Sequence, residues 1–554
     1  MQIDQHARGA RFIEVDDLRT CERWLSMAPL ADPEKACTAL TVLLEDLEDA
    51  PPPDGVWLEI LDRLSDATSL AIEEQTKRFS GRPVPLTGAE IVAFNCVYDL
   101  LTVYGRGYKR LFCAAVDSPN APIAKLAERL AVRATLCCHE LAIAHYRARR
   151  ELTAEVWEEL NEIYRLAEQE GFATKADPLA SPARSCEQLY VETTLTHLAQ
   201  PYGRNAIDLR LILSWARKWA AMAKIRSAQS ESAGTGVDLE SDEPPTYRKM
   251  GRGFNQPWTR VIDLRVVKQA LQNHIRAIEK GETPLEPGFT DGQNGQDVLP
   301  LLHHLQKAWF AFARARRFKR RIVTDRVGVV TGIREIFPAL GGDTPKPKAP
   351  AERSFSRLDY ERFRIFGRVG DEREGELPAR PRERCSEGGA AERWDLLDEN
   401  PLGFRVRRRE VGSAIHHRQL VAIKPPNAKA FVLADARWLM MGVDGTVTLG
   451  LEVLAGLPQP VTIQAASSDA KQRDPENPGV GFLLSPIAGC KASLVALRGA
   501  FAVGAIVDIL VGGTTKRVQL TDRLGQGHDY DQFSYSSPGA ARNAQAAERQ
   551  RPVR

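Results

Sequence analysis

Ahead of about residue 322 the apolar side chains recur every three to four positions, and after it about every two. A hydrophobic period that changes from 3.6 to 2 cannot be served by one kind of secondary structure. The chain is therefore expected to fold as helices first and as sheet afterwards, an α+β multidomain arrangement. Runs at 38–50, 55–79, 87–116, 123–151, 154–172, 186–203 and 207–225 each carry an apolar face at helical spacing, and short polar links between them suggest an array of helical hairpins. Thr87 with Glu90 has the spacing of a capping box. Strand-forming runs follow at 326–337, 393–408, 419–424, 430–442, 446–454 and 460–467, with turn residues between them and no interleaved helical pattern. That pattern predicts a small antiparallel β-barrel or sandwich rather than a doubly wound sheet.

At 554 residues the chain is too long for one core. The expected division is an all-helical domain over 1–226, a linker over 227–257, a helical pair over 258–321, a β-barrel over 322–467, a β extension over 468–536 and a disordered tail over 537–554. Residues 341–391, charged and rich in Pro and Gly, read as an insertion in the barrel. No apolar run approaches the ~20 residues that cross a bilayer, and no basic-then-apolar leader opens the chain, so no membrane insertion and a cytoplasmic location are expected. Nine cysteines at irregular spacing do not describe a disulfide framework. With 75 basic against 72 acidic residues there is no global field to attract nucleic acid, and an electrostatic partner must be held locally.

Two stretches could hold one. In RARRFKRR, Arg316 and Arg320 would share one face of a helix, as would Arg317 and Arg321. Guanidiniums four apart repel unless an anion neutralises them, and their planar forks suit phosphate. The simpler reading is a solvated basic helix end. In LLDENPLGFRV, the cluster Asp398, Asn400, Pro401 and Gly403 interrupts a strand pattern. An ionised Asp398 can accept from two donors on a guanine edge, Asn400 can donate or accept beside it, and Gly403 permits close backbone approach. The simpler reading here is a β-turn.

Taken together, Arg-x-x-x-Arg before the first strand and Asp-x-Asn-x-x-Gly further on resemble the PilZ domain, a bacterial receptor for cyclic di-GMP. The resemblance covers roughly residues 310–467, and the family serine is Asn400 here. It implies a ligand site of Arg316, Arg317, Arg320, Arg321, Asp398, Asn400 and Gly403, with cyclic di-GMP as ligand and no catalysis. It also implies an output, such as control of motility, pili or exopolysaccharide, through an unidentified protein partner of the helical region. Arg380 and Arg384 form a second, lower-ranked Arg-x-x-x-Arg.

Two other readings stay open: a PilZ-like scaffold that works by protein contacts without nucleotide, and a nucleic-acid binder using RARRFKRR and RVRRR. Cys137, Cys138 and His139 are adjacent on one helix and diverge by about 100° each, so buried packing is the better account and no metal site is expected. No nucleophile elbow, phosphate-binding loop or dinucleotide fingerprint is present in the sequence, and no enzyme is expected. Trp394 is expected to pack rather than stack on a ligand.

Overall fold

A computed structural model describes residues 14–177, 183–228, 234–248, 257–282, 295–310, 318–342, 391–426, 428, 430–466, 479–486, 492–511 and 513–538. The chain divides into two units, Met1–Arg317 with Leu439–Gly445 and Phe318–Trp438 with Thr446–Arg554.

The first unit is built from α1 (Leu18–Met27), α2 (Pro33–Asp49), α3 (Asp54–Phe79), α4 (Gly88–Asp117), α5 (Ala127–Ala148), α6 (Ala154–Gln169), α7 (Cys186–Leu198) and α8 (Ala206–Ala220). Local chemistry sets several of the starts. Asp32 accepts from the amides of Glu34 and Lys35 ahead of Pro33, and the Glu90 carboxylate takes the Thr87 N–H at 2.8 Å, as the capping box predicts. Ser185 and Gln188 cap α7 reciprocally. The long helices α3, α4 and α5 bury Trp57, Leu61, Leu100, Tyr108, Leu130 and Ala134 in one continuous apolar core.

In place of the expected linker, β1 (Lys224–Ser227), β2 (Gly234–Asp238), β3 (Thr246–Arg248) and β4 (Thr259–Asp263) form a sheet in the order β1-β4-β2-β3. α9 (Arg265–Glu279) and α10 (Gly295–Phe310) follow. Trp309 on α10 donates its indole N–H to the Leu195 carbonyl at 2.8 Å and packs edge-on to Trp219. This fixes the helical pair to α7 and α8, since an indole is buried cheaply only when its N–H is satisfied.

The second unit holds two closed barrels. The first comprises β5 (Arg321–Thr331), β6 (Glu392–Asn400), β7 (Gly403–Arg408), β8 (Leu420–Lys424), β9 (Val432–Met441) and β10 (Val447–Val453), with strand order β10-β7-β6-β5-β8-β9. A short helix, α11 (Ile333–Ala339), follows β5. The second barrel comprises β11 (Pro458–Ala465), β12 (Gly479–Leu484), β13 (Ser493–Leu497), β14 (Ile506–Val511), β15 (Thr514–Gln526) and β16 (Tyr530–Ser536). The stretch read as a barrel ending at 467 and an extension after it is thus two barrels. The boundary falls before Pro458, because β11 pairs with β12 and β14 and not with the first barrel's strands. The proposed insertion, including Arg380 and Arg384, lies almost wholly outside the described residues.

Candidate functional site

The described residues of the sequence-predicted site, Arg320, Arg321, Asp398, Asn400 and Gly403, lie at one end of β5, β6 and β7. Arg316 and Arg317 lie outside the described residues. Arg320 and Arg321 are not on a helix, as the spacing had suggested. Arg320 is irregular, and Arg321 opens β5, so their side chains follow strand geometry and diverge.

β6 and β7 form a hairpin in which Asn400 pairs with Gly403, and the break in the strand pattern is its two-residue turn. Asn400 Oδ1 accepts the Leu402 N–H at 2.9 Å, an Asx turn that stabilises the corner. Gly403 serves a close approach, but to protein: a Cβ there would sit 2.1 Å from the Leu451 carbonyl oxygen of β10. Gly403→Ala is therefore expected to destabilise the barrel by about 1–3 kcal/mol, because a backbone oxygen cannot step aside as a flexible side chain can. Denaturant melts would check this. A variant with unchanged stability and lost ligand binding would instead assign Gly403 to the ligand.

Asp398 has a different setting. Trp394, Leu396 and Asp398 are the buried residues of β6, and the shift in register after Leu396 sets Asp398 opposite Arg405, on the side of the Asp395–Arg407 pair. Irregularities in register, between Ile322 and Asp325 on β5 and between Leu396 and Asp398 on β6, bracket it. Bulges of this kind re-aim side chains at barrel rims. The result is a carboxylate, 8% exposed, gripped from both neighbouring strands. Arg320 Nη1 donates to Oδ1, and Arg405 Nε lies 3.1 Å from Oδ2. Arg321 pairs with Glu399 alongside, and Arg326, Arg407 and Arg409 surround Asp395 at 3.5–4.0 Å.

Six guanidiniums thus meet three carboxylates on this face. The imbalance leaves it cationic even with every pair formed. Arg320 Nε and Arg407 Nε are shielded from solvent and have no acceptor among the described residues. Such donors are what an oxyanion would satisfy. Ile322, opposite Asp398 in register and 87% exposed, and the exposed Leu402 supply an apolar ledge beside the charges. Trp394 is not part of this surface. It is 1% exposed, and the Arg408 guanidinium covers its ring at 4.8 Å.

Arg405 is the residue sequence reading missed. Its pairing with Asp398 depends on the bulge, and the only available signal was its place in the basic run after Gly403. Cys137 and Cys138 are buried in the helical core, while His139 contacts Thr193 at 2.8 Å and Glu192 at 3.4 Å.

Comparison with known proteins finds relatives at both ends of the chain. Residues 19–230 match the family described as "Cyclic-di-GMP receptor FimW, N-terminal domain", and residues 465–538 match "FimW C-terminal beta-barrel domain". The curated Cyclic-di-GMP receptor FimW of Pseudomonas aeruginosa is 23% identical over 422 residues, which cover 69% of this chain and 68% of that protein. No solved structure matches the chain significantly. The first match spans α1–α8 and β1, and the second spans β12–β16 of the second barrel but only the last residue of β11. The first barrel, with Arg320 and Asp398, lies between them, and neither description names a PilZ domain.

Proposed function

We propose that this chain is a receptor for cyclic di-GMP that acts by binding rather than catalysis, and that the ligand is held on the first barrel at Arg320, Arg321 and Asp398, with Arg316 and Arg317 completing the phosphate contacts. The observation that carries this reading is the meeting of Arg320 with Asp398, 78 residues apart in sequence, at the start of the first strand. The matches to the FimW family descriptions at either end of the chain support the choice of ligand.

The chemistry is an exchange of partners. In the free protein the guanidiniums of Arg320 and Arg405 neutralise Asp398. An arriving dianionic dinucleotide offers phosphates to the arginines and a guanine edge, with its two N–H donors, to the released carboxylate. Each group that leaves an ion pair gains a new hydrogen-bonding partner, which offsets part of the cost of separating a partly buried ion pair. Ile322 and Leu402 give the base an apolar surface. Output would then pass to a protein partner, through a shift in population between ligand-free and ligand-bound arrangements.

A scaffold that no longer binds nucleotide is the second reading. What favours it is that Asn400 and Gly403 are already engaged in the hairpin and Asp398 in two ion pairs. Calorimetric titration of the full chain with cyclic di-GMP, with GTP as control, separates the two. Saturable binding that falls about 10–100-fold in Arg320→Ala and in Asp398→Ala is expected, since charge-assisted hydrogen bonds are worth about 1.5–3 kcal/mol. No binding by folded wild-type protein would leave the scaffold.

A further inference from the structure

The helical unit holds an open cleft of about 800 Å3 lined by α3, α4, α5 and α8, a size common for small-molecule sites. Its lining is strongly cationic: eight arginine or lysine side chains against two carboxylates, Glu73 and Glu140. Part of that charge is neutralised locally. Arg133 pairs with the buried Asp177 at 3.0 Å, Arg184 and Arg217 share Glu192 at 3.1 and 3.3 Å, and Lys77 lies 3.0 Å from Glu73.

Two lining arginines have no carboxylate among the described residues. Arg149 is 6% exposed, and its guanidinium donates to the carbonyl oxygens of Tyr202 and Arg204 at 2.8 and 2.6 Å. Burial pushes it down to about 10, a direction that reflects a cation removed from water without a counter-ion. It also sits at φ 54°, in the left-handed region where glycine usually ends a helix, so a bulky side chain is kept at a strained position. Arg147, two residues earlier and half-buried, faces the same cavity and forms no ion pair among the described residues. Thr68 Oγ1 on α3, in a residue 2% exposed, is enclosed without a partner among them. Tyr104, Tyr108 and Leu101 give one wall an aromatic and apolar character.

A cavity that concentrates positive charge, holds a buried guanidinium without a carboxylate and has room for a ring system suits one class of occupant. We infer that the helical unit contains a second ligand site, distinct from the barrel, for a phosphate-bearing small molecule of nucleotide size, centred on Arg147 and Arg149 with Arg210 and Arg217 at its rim. The site would let the helical unit sense a phosphorylated metabolite independently of the barrel.

The test uses the full chain carrying Arg320→Ala, which silences the proposed barrel site. It is titrated calorimetrically with pyrophosphate, GTP, ATP and cyclic di-GMP, with and without Arg147→Gln and Arg210→Gln. Arg147 has no ion pair among the described residues to lose, so Arg147→Gln alone should leave the melting temperature unchanged. Binding of at least one phosphate compound that persists in Arg320→Ala and weakens at least tenfold in the Arg147→Gln, Arg210→Gln protein is expected. If none of the four compounds binds or raises the melting temperature at millimolar concentration, the inference is overturned. It is also overturned if binding survives Arg147→Gln, Arg210→Gln unchanged. Cyclic di-GMP binding that resists Arg320→Ala but disappears in Arg147→Gln, Arg210→Gln would uphold the second site and remove the ligand from the barrel.

Discussion

Lowering the pH from 7.5 to 5 should destabilise the helical unit by several kcal/mol, before any carboxylate in it is titrated to completion. Three of its histidines carry the effect. His145 and His197 are each pushed down to about 4 by burial, and His304 to about 4 by burial and by the charge of Arg204. His145 is 3% exposed, packs edge-on to Phe94 at 5.1 Å and donates from Nδ1 to the Glu151 carbonyl. Between the unfolded value of about 6.5 and the native value near 4, the unfolded chain takes up protons that the folded chain refuses. Stability is then full above pH 6.5 and lost as pH falls toward 4. For His145 the loss at pH 5 is roughly 2 kcal/mol, with less from the two partly exposed rings.

Glu192 adds a second, more acidic stage. Burial alone would raise its carboxyl, but His139, Arg184 and Arg217 hold it down to about 2, so its contribution is present above the ordinary glutamate value and disappears below it. Asp99 and Glu187, both raised by burial, act in the opposite sense and over a higher range, just above their ordinary carboxylate values, where they offset part of the histidine loss. Melting temperatures followed by circular dichroism at pH 7.5, 6, 5 and 4 would show the fall beginning near 6.5, and His197→Gln should reduce its size. A melting temperature constant from pH 7.5 to 5 would remove the buried histidines from the account.

The change of hydrophobic period made the larger architecture legible, because amphipathic faces are local and α3 to α5 are long enough to repeat theirs many times. The same logic failed at residues 227–257. GTGVD and TYR are strands of five and three residues, too short to show alternation, and only their pairing with each other and with β4 makes a sheet favourable. Closure of the second barrel was equally invisible: β11 reads like one more strand of the first barrel until its partners β12 and β14 are known. Arg320 and Asp398 could be singled out in the sequence because residue type and order carry that information, and the fold pairs them. Arg405 was not, since a one-residue bulge decides what it touches. The cationic cavity was illegible for a related reason: its charges are scattered from Lys77 to Arg217, and only the stacking of four helices brings them together.

Replacing Asp529 with alanine should cost the second unit about 2–5 kcal/mol, although Asp529 belongs to neither the ligand face nor an apolar core. It sits in the turn before β16, and its two carboxylate oxygens accept backbone N–H groups of the other barrel, Leu420 on β8 and Ile333 at the start of α11, each at 2.9 Å. The residue preceding α11 is Gly332, at φ 93°, which has no side chain to cap the helix, so the cap is supplied from 196 residues away. Around this clasp Ile333, Ile336 and Phe337 pack with Phe482, Leu484, Val495 and Tyr530 in one apolar cluster, and the rings of His416 and His528 stack at 3.8 Å. Leu420 and Ile333 are 0% and 2% exposed, so water cannot readily replace the lost acceptor, and a buried N–H left unsatisfied costs about 1–3 kcal/mol. An asparagine side chain would retain one acceptor and turn its NH2 toward the other amide, so Asp529→Asn should fall between wild type and Asp529→Ala. Scanning calorimetry should show one cooperative transition for both barrels in wild type and two in Asp529→Ala, because the polar clasp fixes the register in which the apolar cluster docks. An alanine variant within about 0.5 kcal/mol of wild type, still melting as one unit, would mean that the apolar cluster alone joins the barrels.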